Sequence, residues 1–423
     1  MNIDNCSKKI IREKLRSPFG FKGYYIDELW QCVVSLSCGA FTASCPGVQS
    51  PLWSDGTIFS KLGPEDSNAL MASLTQRTLD ALASSPLERP DILLEKKLPE
   101  LINSAKELCG QDMRTTFVLN SLVGCDIALW TLWASTNGIE SFDGIIPPYA
   151  KNALSHRSDV LAHIPLISYG VTSEQTRTIL ADGTAILKIK IGSHSPDAVS
   201  HEDDMQKMLE WDKHRLSKIH TLAKTFTTDM TYNGHVKYYL DANGRYDSLS
   251  RISQLLSHAR AIGALDDIVL LEEPFAPDSA IDVSELPVCV VADESAHSLA
   301  DVRSRLSLGY RAIALKPIAK TLSESFKMAA QAYAAGASCF CADLTVNPLL
   351  ALWNRTFASR LAPLPGMKCG CVEVNGDQNY LNWEQMKKML PASIKYTEAV
   401  NGRFDAGEYF TPRCPLFERN SYQ

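Results

Sequence analysis

The sequence predicts an α/β protein, a closed (β/α) barrel joined to a smaller α+β domain. Three observations predict it. The 423 residues are too many for one ordinary core. From about residue 160, short apolar runs alternate with helical patterns, the order expected of a parallel sheet. Five of those runs in succession (186–190, 236–241, 268–272, 288–293 and 312–316) end in Lys, Asp or Glu. Buried parallel strands read as near-continuous apolar runs, and barrel chemistry sits where the strands end.

Residues 1–140 make up the predicted α+β domain. Strand-like stretches surround Ile10 and Ile11 and residues 30–34. Between them 17–23, with one Pro and two Gly, reads as a turn. Helical patterns follow at about 67–84, 94–109 and 117–135, and the mostly apolar 123–130 is expected to be buried. The barrel is assigned to 160–382, with strands near 164–169, 186–190, 237–241, 268–272, 288–293, 312–316, 338–342 and 369–374. Lys190 to Asp241 spans 51 positions, against 31, 21 and 23 for the next three steps, so an insertion lies within 193–236. Met205, Met208, Leu209, Leu216, Ile219 and Leu222 fall near helical spacing there and predict a long surface helix. The polar tail, about 383–423, is expected to pack back on the first domain and complete it.

Composition narrows the class. Hydrophobic content of 45% and charge of 21% are those of a soluble globular protein. A net charge of -6 gives no support to nucleic-acid binding. No apolar stretch is expected to reach the length of a membrane span, and the start lacks signal-peptide order. Twelve cysteines without framework spacing point to a reducing cytoplasm. Cys339/Cys341 and Cys369/Cys371 are spaced more closely than zinc-binding thiolates usually are. They read instead as small apolar residues on two late strands. Given the strand ends that carry lysine and carboxylate groups, a small-molecule carboxylate is the expected partner, and a homo-oligomer is possible.

Asp241, Glu272 and Asp293 end three successive strands, and neighbouring strands lie about 4.8 Å apart. One such residue would read as a loop or helix-capping carboxylate. Three together would repel strongly without a cation, and they suit a hard ion such as Mg²⁺. Asn243, Glu273 and Glu294 lie beside them in sequence and could orient them. Lys188 and Lys190 share one strand face, and Lys316 ends the sixth strand across the barrel. A lysine titrates near 10.4 in isolation, whereas a useful base needs about 7–8. Like charge, a metal and burial are expected to lower it. The set suggests metal-assisted removal of a proton next to a carboxylate.

In order, Lys188-Ile189-Lys190, Asp241-Ala242-Asn243, Glu272-Glu273-Pro274, Asp293-Glu294-Ser295 and Lys316-Pro317 resemble the muconate-lactonizing-enzyme subgroup of the enolase superfamily, related to L-Ala-D/L-Glu epimerases. Asp126-Ile127-Ala128-Leu129-Trp130 also looks like the segment preceding that family's barrel. The resemblance implies a modified TIM barrel, (β/α)₇β, under an α+β capping domain. It implies Mg²⁺ on Asp241, Glu272 and Asp293, with Asn243 and Glu294 behind them. Lys190 and Lys316 would be the acid/base pair, with Lys188 tuning Lys190. An α-proton would leave through an enediolate. Racemisation or epimerisation of an amino-acid derivative or related acid is the expected outcome. Cycloisomerisation, or syn-dehydration as in the o-succinylbenzoate synthases that Lys316-Pro317 resembles, are alternatives. So is a catalytically silent binding protein. Mandelate-racemase-like members use a seventh-strand histidine, and none follows His297 here. Substrate contacts are assigned to Phe19, Phe21 and Lys22 on the capping turn and to Asp343, Glu373, Asn375 and Asp377 at the last two strands. Dipeptide epimerases carry Asp-x-Asp where this chain has Glu373-Val374-Asn375.

Overall fold

The computed structural model describes residues 1–21 and 24–422. An antiparallel sheet opens the chain: β1 (Asn5–Phe21), β2 (Tyr24–Cys38) and β3 (Phe41–Gln49). Of the turn expected over 17–23, residues 17–21 are strand. β1 pairs with β2 out to Phe21, and its register slips between Lys14 and Phe19. Pro18 lies inside the slip, where its missing N–H interrupts the ladder. Lys22 lies outside the described residues. Of Phe19 and Phe21 only the backbone pairing to Ile26 and Tyr24 is in hand.

Four helices follow: α1 (Pro51–Ser54), α2 (Gly56–Leu82), α3 (Pro90–Cys109) and α4 (Thr115–Thr136). α2 starts well before its apolar pattern, because Gly63, at φ +78°, and Pro64 bend it rather than end it. α4 corrects the expectation that no stretch reaches membrane-span length. It is long and apolar enough, but 94% of its apolar window is buried inside the protein, so it is a core helix. β3 packs on α4 backbone to backbone. A Cβ on Gly47 would stand 2.6 Å from Gly124 N, so glycine permits the approach.

After α5 (Phe142–Ile145) comes the barrel. Its strands are β4 (Val160–Ile164), β5 (Leu166–Ile167), β6 (Ile186–Lys190), β7 (Lys237–Asp241), β8 (Ile268–Glu272), β9 (Val290–Ala292), β10 (Ala312–Leu315), β11 (Ser338–Cys341) and β12 (Gly370–Glu373). Its helices are α6 (Ser173–Ala181), α7 (His201–Ala223), α8 (Leu249–Ala261), α9 (Leu299–Ser307), α10 (Leu322–Ala334) and α11 (Pro348–Ala358). From β5 to β12 each strand pairs in parallel with the next, and β12 pairs with β4. Only Pro165 separates β4 from β5, and its carbonyl accepts from Lys188 N, so the ring closes through one bent strand. The insertion is α7, with Met205, Met208, Leu209, Leu216 and Ile219 buried, as predicted.

The tail touches both parts. β13 (Arg403–Asp405) pairs antiparallel with β4 of the barrel, while Asn420 donates to Ser44 O at 2.8 Å in the first sheet. Cys339 and Cys341 fall on β11, and Cys371 falls on β12 with Cys369 just before it. Burial pushes the Cys339 thiol up to about 12 and Cys371 well above its usual range, which favours the protonated, packing form over a thiolate ligand.

Candidate active site

Strand alternation brings the marked residues together. Lys188 and Lys190, Tyr239 and Asp241, and Leu270 and Glu272 are pairs two apart, so each pair points to one face. Register carries this across the sheet: Lys190 lies opposite Asp241, and Asp241 opposite Glu272. A cavity opens above them. Lys188, Lys190, Asp241, Asn243, Glu272, Asp293, Glu294 and Lys316 line it. Asp343, Thr345, Glu373 and Asn375 form one side. Leu15, Ile26, Leu29, Leu52 and Trp53 of the N-terminal segment form an apolar roof. Asp377 is not among the lining residues.

The charges interlock. Lys190 Nζ lies 2.6 Å from Asp241 Oδ2 and 2.5 Å from Asn243 Oδ1. Lys188 Nζ is shared by Asp241 at 3.1 Å, Glu272 at 2.9 Å and Glu373 at 3.2 Å. On the far side Lys316 Nζ meets Asp293 Oδ2 at 2.5 Å, and Lys320 Nζ meets Asp293 Oδ1 at 3.0 Å. Tyr239 donates its hydroxyl to Glu272 Oε2. Asn243 Nδ2 donates to Glu294 Oε1 at 3.0 Å. Glu273 turns away from the cavity to accept from Asp293 N and from Ser295.

Burial would raise Asp241 and Asp293, but their lysines outweigh it and hold both carboxyls well below the usual range. Glu272 goes the other way. Burial and the charge of Asp241 raise it well above, against the pull of Lys188. Burial and Glu294 push Glu273 up to about 8. The lowered lysine pKa expected from the sequence is not found at Lys188 or Lys316. Burial alone would lower each, but the carboxylates in contact hold both above the usual lysine value. In this arrangement the ammonium groups are the counterions of the acids.

Ligand atoms of Glu272, Asp293 and Glu294 lie within 4.8 Å of one another, all three residues buried. Glu272 Oε1 and Glu294 Oε2 are buried there without a hydrogen-bond partner. Unpaired oxygens in a cluster of hard donors fit a cation such as Mg²⁺. Sequence reading set Glu294 behind the ligands, yet it lies within this cluster. Asp241 is turned onto Lys188 and Lys190. Asp343 accepts from Asn375 N at 2.9 Å, keeps Oδ1 buried and unpartnered, and is pushed up to about 7 by burial and by Glu373.

Sequence reading passed over Trp53, Tyr239 and Lys320. The Lys316 ammonium sits 4.5 Å from the centre of the Trp53 ring, a cation–π contact. Lys320 is fully buried and donates also to Asp293 O at 2.6 Å and Ala296 O at 2.7 Å. The one available signal was its place four residues after Lys316.

Residues 171–361 match the family described as Enolase C-terminal domain-like. No curated protein sequence matches the chain. A mandelate racemase/muconate lactonizing protein from Herpetosiphon aurantiacus is similar in structure, with TM-score 0.66, 17% identity, and 98% of this chain and 97% of that one covered. The L-Ala-D/L-Glu epimerase from Bacillus subtilis superposes with TM-score 0.65 at 16% identity, covering 95% of this chain and 96% of that one. A dipeptide epimerase from Enterococcus faecalis V583, complexed with Mg and L-Leu-L-Tyr, gives TM-score 0.60 at 14% identity, covering 90% and 92%. At these identities the likeness is one of fold: a modified TIM barrel with an N-terminal capping sheet.

Proposed function

We propose, from the match of residues 171–361 to the family described as Enolase C-terminal domain-like, that this protein is an enzyme that removes and returns a proton α to a carboxylate. Racemisation or epimerisation of an amino-acid derivative is the outcome we assign. One observation carries the reading: Lys190 and Lys316 line one cavity from either side of the Glu272–Asp293–Glu294 acids. Mg²⁺ held by Glu272, Asp293 and Asp241 or Glu294 would neutralise charge building on the substrate carboxylate as its enediolate forms.

The remaining work falls to the chain itself. Lys190 Nζ takes the α-proton from one face, and Lys316 Nζ delivers a proton to the other. Each ammonium stands on a carboxylate, Asp241 or Asp293. At Lys316, Asp293 is the main partner holding the ammonium above its usual range, and a cation sharing that carboxylate would relax the hold. Lys188 keeps Asp241, Glu272 and Glu373 compatible in one buried space. Trp53 and the leucines above exclude water from the reacting carbon.

Asp343, with its unpartnered oxygen beside Glu373, supports a substrate carrying an N–H or ammonium group. Glu373 and Asn375 line the same side. The dipeptide named with the Enterococcus faecalis epimerase has such a group.

Solvent-deuterium exchange tests the reading. The protein is incubated in D₂O with acyl amino acids, dipeptides and sugar acids, with and without Mg²⁺. Mg²⁺-dependent deuteration at the α-carbon of one class is the expected result. No exchange with any class would favour a silent binding protein.

A further inference from the structure

We propose that Asp212, on the insertion helix α7, is a positioning residue for the Lys190 side of the cavity. This goes beyond the reaction class and rests on that reading only for its metal. Asp212 is fully buried and some twenty residues from any group named above as reactive. Gly192 N donates to both of its oxygens, at 3.0 and 2.9 Å. Tyr246 donates its hydroxyl to Oδ2 at 2.6 Å. One carboxylate therefore joins the turn that leaves Lys190 to the turn that leaves Asp241 and Asn243.

Backbone bonds also brace those two turns, among them Gly244 N to Glu273 O at 2.6 Å and Arg245 N to Ala242 O at 3.1 Å. Ile191 N donates to Asp241 O at 3.0 Å, and Tyr246 N to Pro274 O at 3.0 Å. Gly192 has φ +80°, and a Cβ there would stand 2.7 Å from Arg245 Cβ, so the turns pack backbone against side chain. One helical turn on, Arg215 donates to Ile167 O at 2.9 Å and Ser168 O at 2.5 Å. The same face of α7 thus grips the ends of β5, β6 and β7. Lys190 keeps its place between Asp241 and Asn243 only while both turns hold their spacing. A surface helix needs no buried carboxylate to pack, and a hydrophobic residue would cost less there. The carboxylate is explained by the N–H and O–H groups it collects.

The test uses the full chain with Asp212→Asn, Asp212→Ala and Tyr246→Phe. Amide hydrogen exchange is read without metal, and Mg²⁺ affinity is read by calorimetry. Faster exchange confined to 190–194 and 241–247 is expected. Mg²⁺ binding should weaken about tenfold in Asp212→Ala, as when a ligand-orienting partner is removed, and less in Asp212→Asn, which keeps one oxygen. A purely structural role would lower the melting temperature but leave the affinity of the folded variant unchanged. Unchanged exchange in both turns, or an affinity within twofold of the parent in every folded variant, overturns the proposal. If Asp212→Ala does not fold, Asp212→Asn and Tyr246→Phe carry the comparison. A parent that binds no Mg²⁺ would count against the proposed function instead, and the exchange data would then decide the role of Asp212.

Discussion

Lys188 is the residue on which the acidic floor balances. It is buried and touches Asp241, Glu272 and Glu373. Lys188→Met would leave three carboxyls facing one another where solvent does not screen them. Removing one partner of a buried ionic group costs about 3–5 kcal/mol. Urea unfolding of the metal-free variant should show a loss of that order, partly recovered by Mg²⁺, and a stability equal to the parent's would refute the balance. Lys320 shows what sequence could not reveal at this scale. A lysine four beyond a strand end reads as solvated. Only the Asp293 carboxylate and the carbonyls that surround it reveal a buried ammonium.

Among the elements, α4 and β3 couple the N-terminal part to the barrel. The contact of Gly47 with Gly124 leaves no room for a methyl group. Gly47→Ala should cost about 1–3 kcal/mol through overpacking, measured by denaturant midpoint, and an unchanged midpoint would show that the two elements can separate freely. From α4, Asp126 reaches the first turn of α10, accepting from Leu322 N at 2.8 Å and Ser323 N at 3.0 Å. Burial pushes its carboxyl from 3.8 up to about 7. Between those values the folded chain holds a proton that the unfolded chain releases. The stability from this group is therefore full below about pH 4 and is lost as pH rises through about 7. Asp126→Asn cannot ionise. Its melting temperature relative to the parent should climb from pH 4 to pH 8, and a decline over that window would reverse the sign assigned here.

The barrel strands were legible because each is an apolar run closed by a polar residue, a pattern that local sequence carries whole. β6, β7 and β8 end where their Lys, Asp and Glu do. The hairpin and α2 were less legible. Pro18, Gly20, Gly63 and Pro64 signal a break, but sheet and helix packing override them. α4 lacks an amphipathic stripe because it is surrounded on all sides.

For the molecule as a whole, a bound cation should act as a stabiliser that the unfolded chain does not bind. At a hundredfold excess over the dissociation constant, that adds about 2.7 kcal/mol. Melting should rise with Mg²⁺ and fall back with a chelator, and an unchanged midpoint would argue that the acids hold no ion. The central claim is that two lysines serve one substrate from opposite faces. Once a substrate is found, the direct measurement is racemisation, followed by circular dichroism in D₂O, for the parent, Lys190→Ala and Lys316→Ala. Loss of racemisation in each variant, with both still folded, is the expected result. Racemisation that survives in either variant would contradict the two-base arrangement.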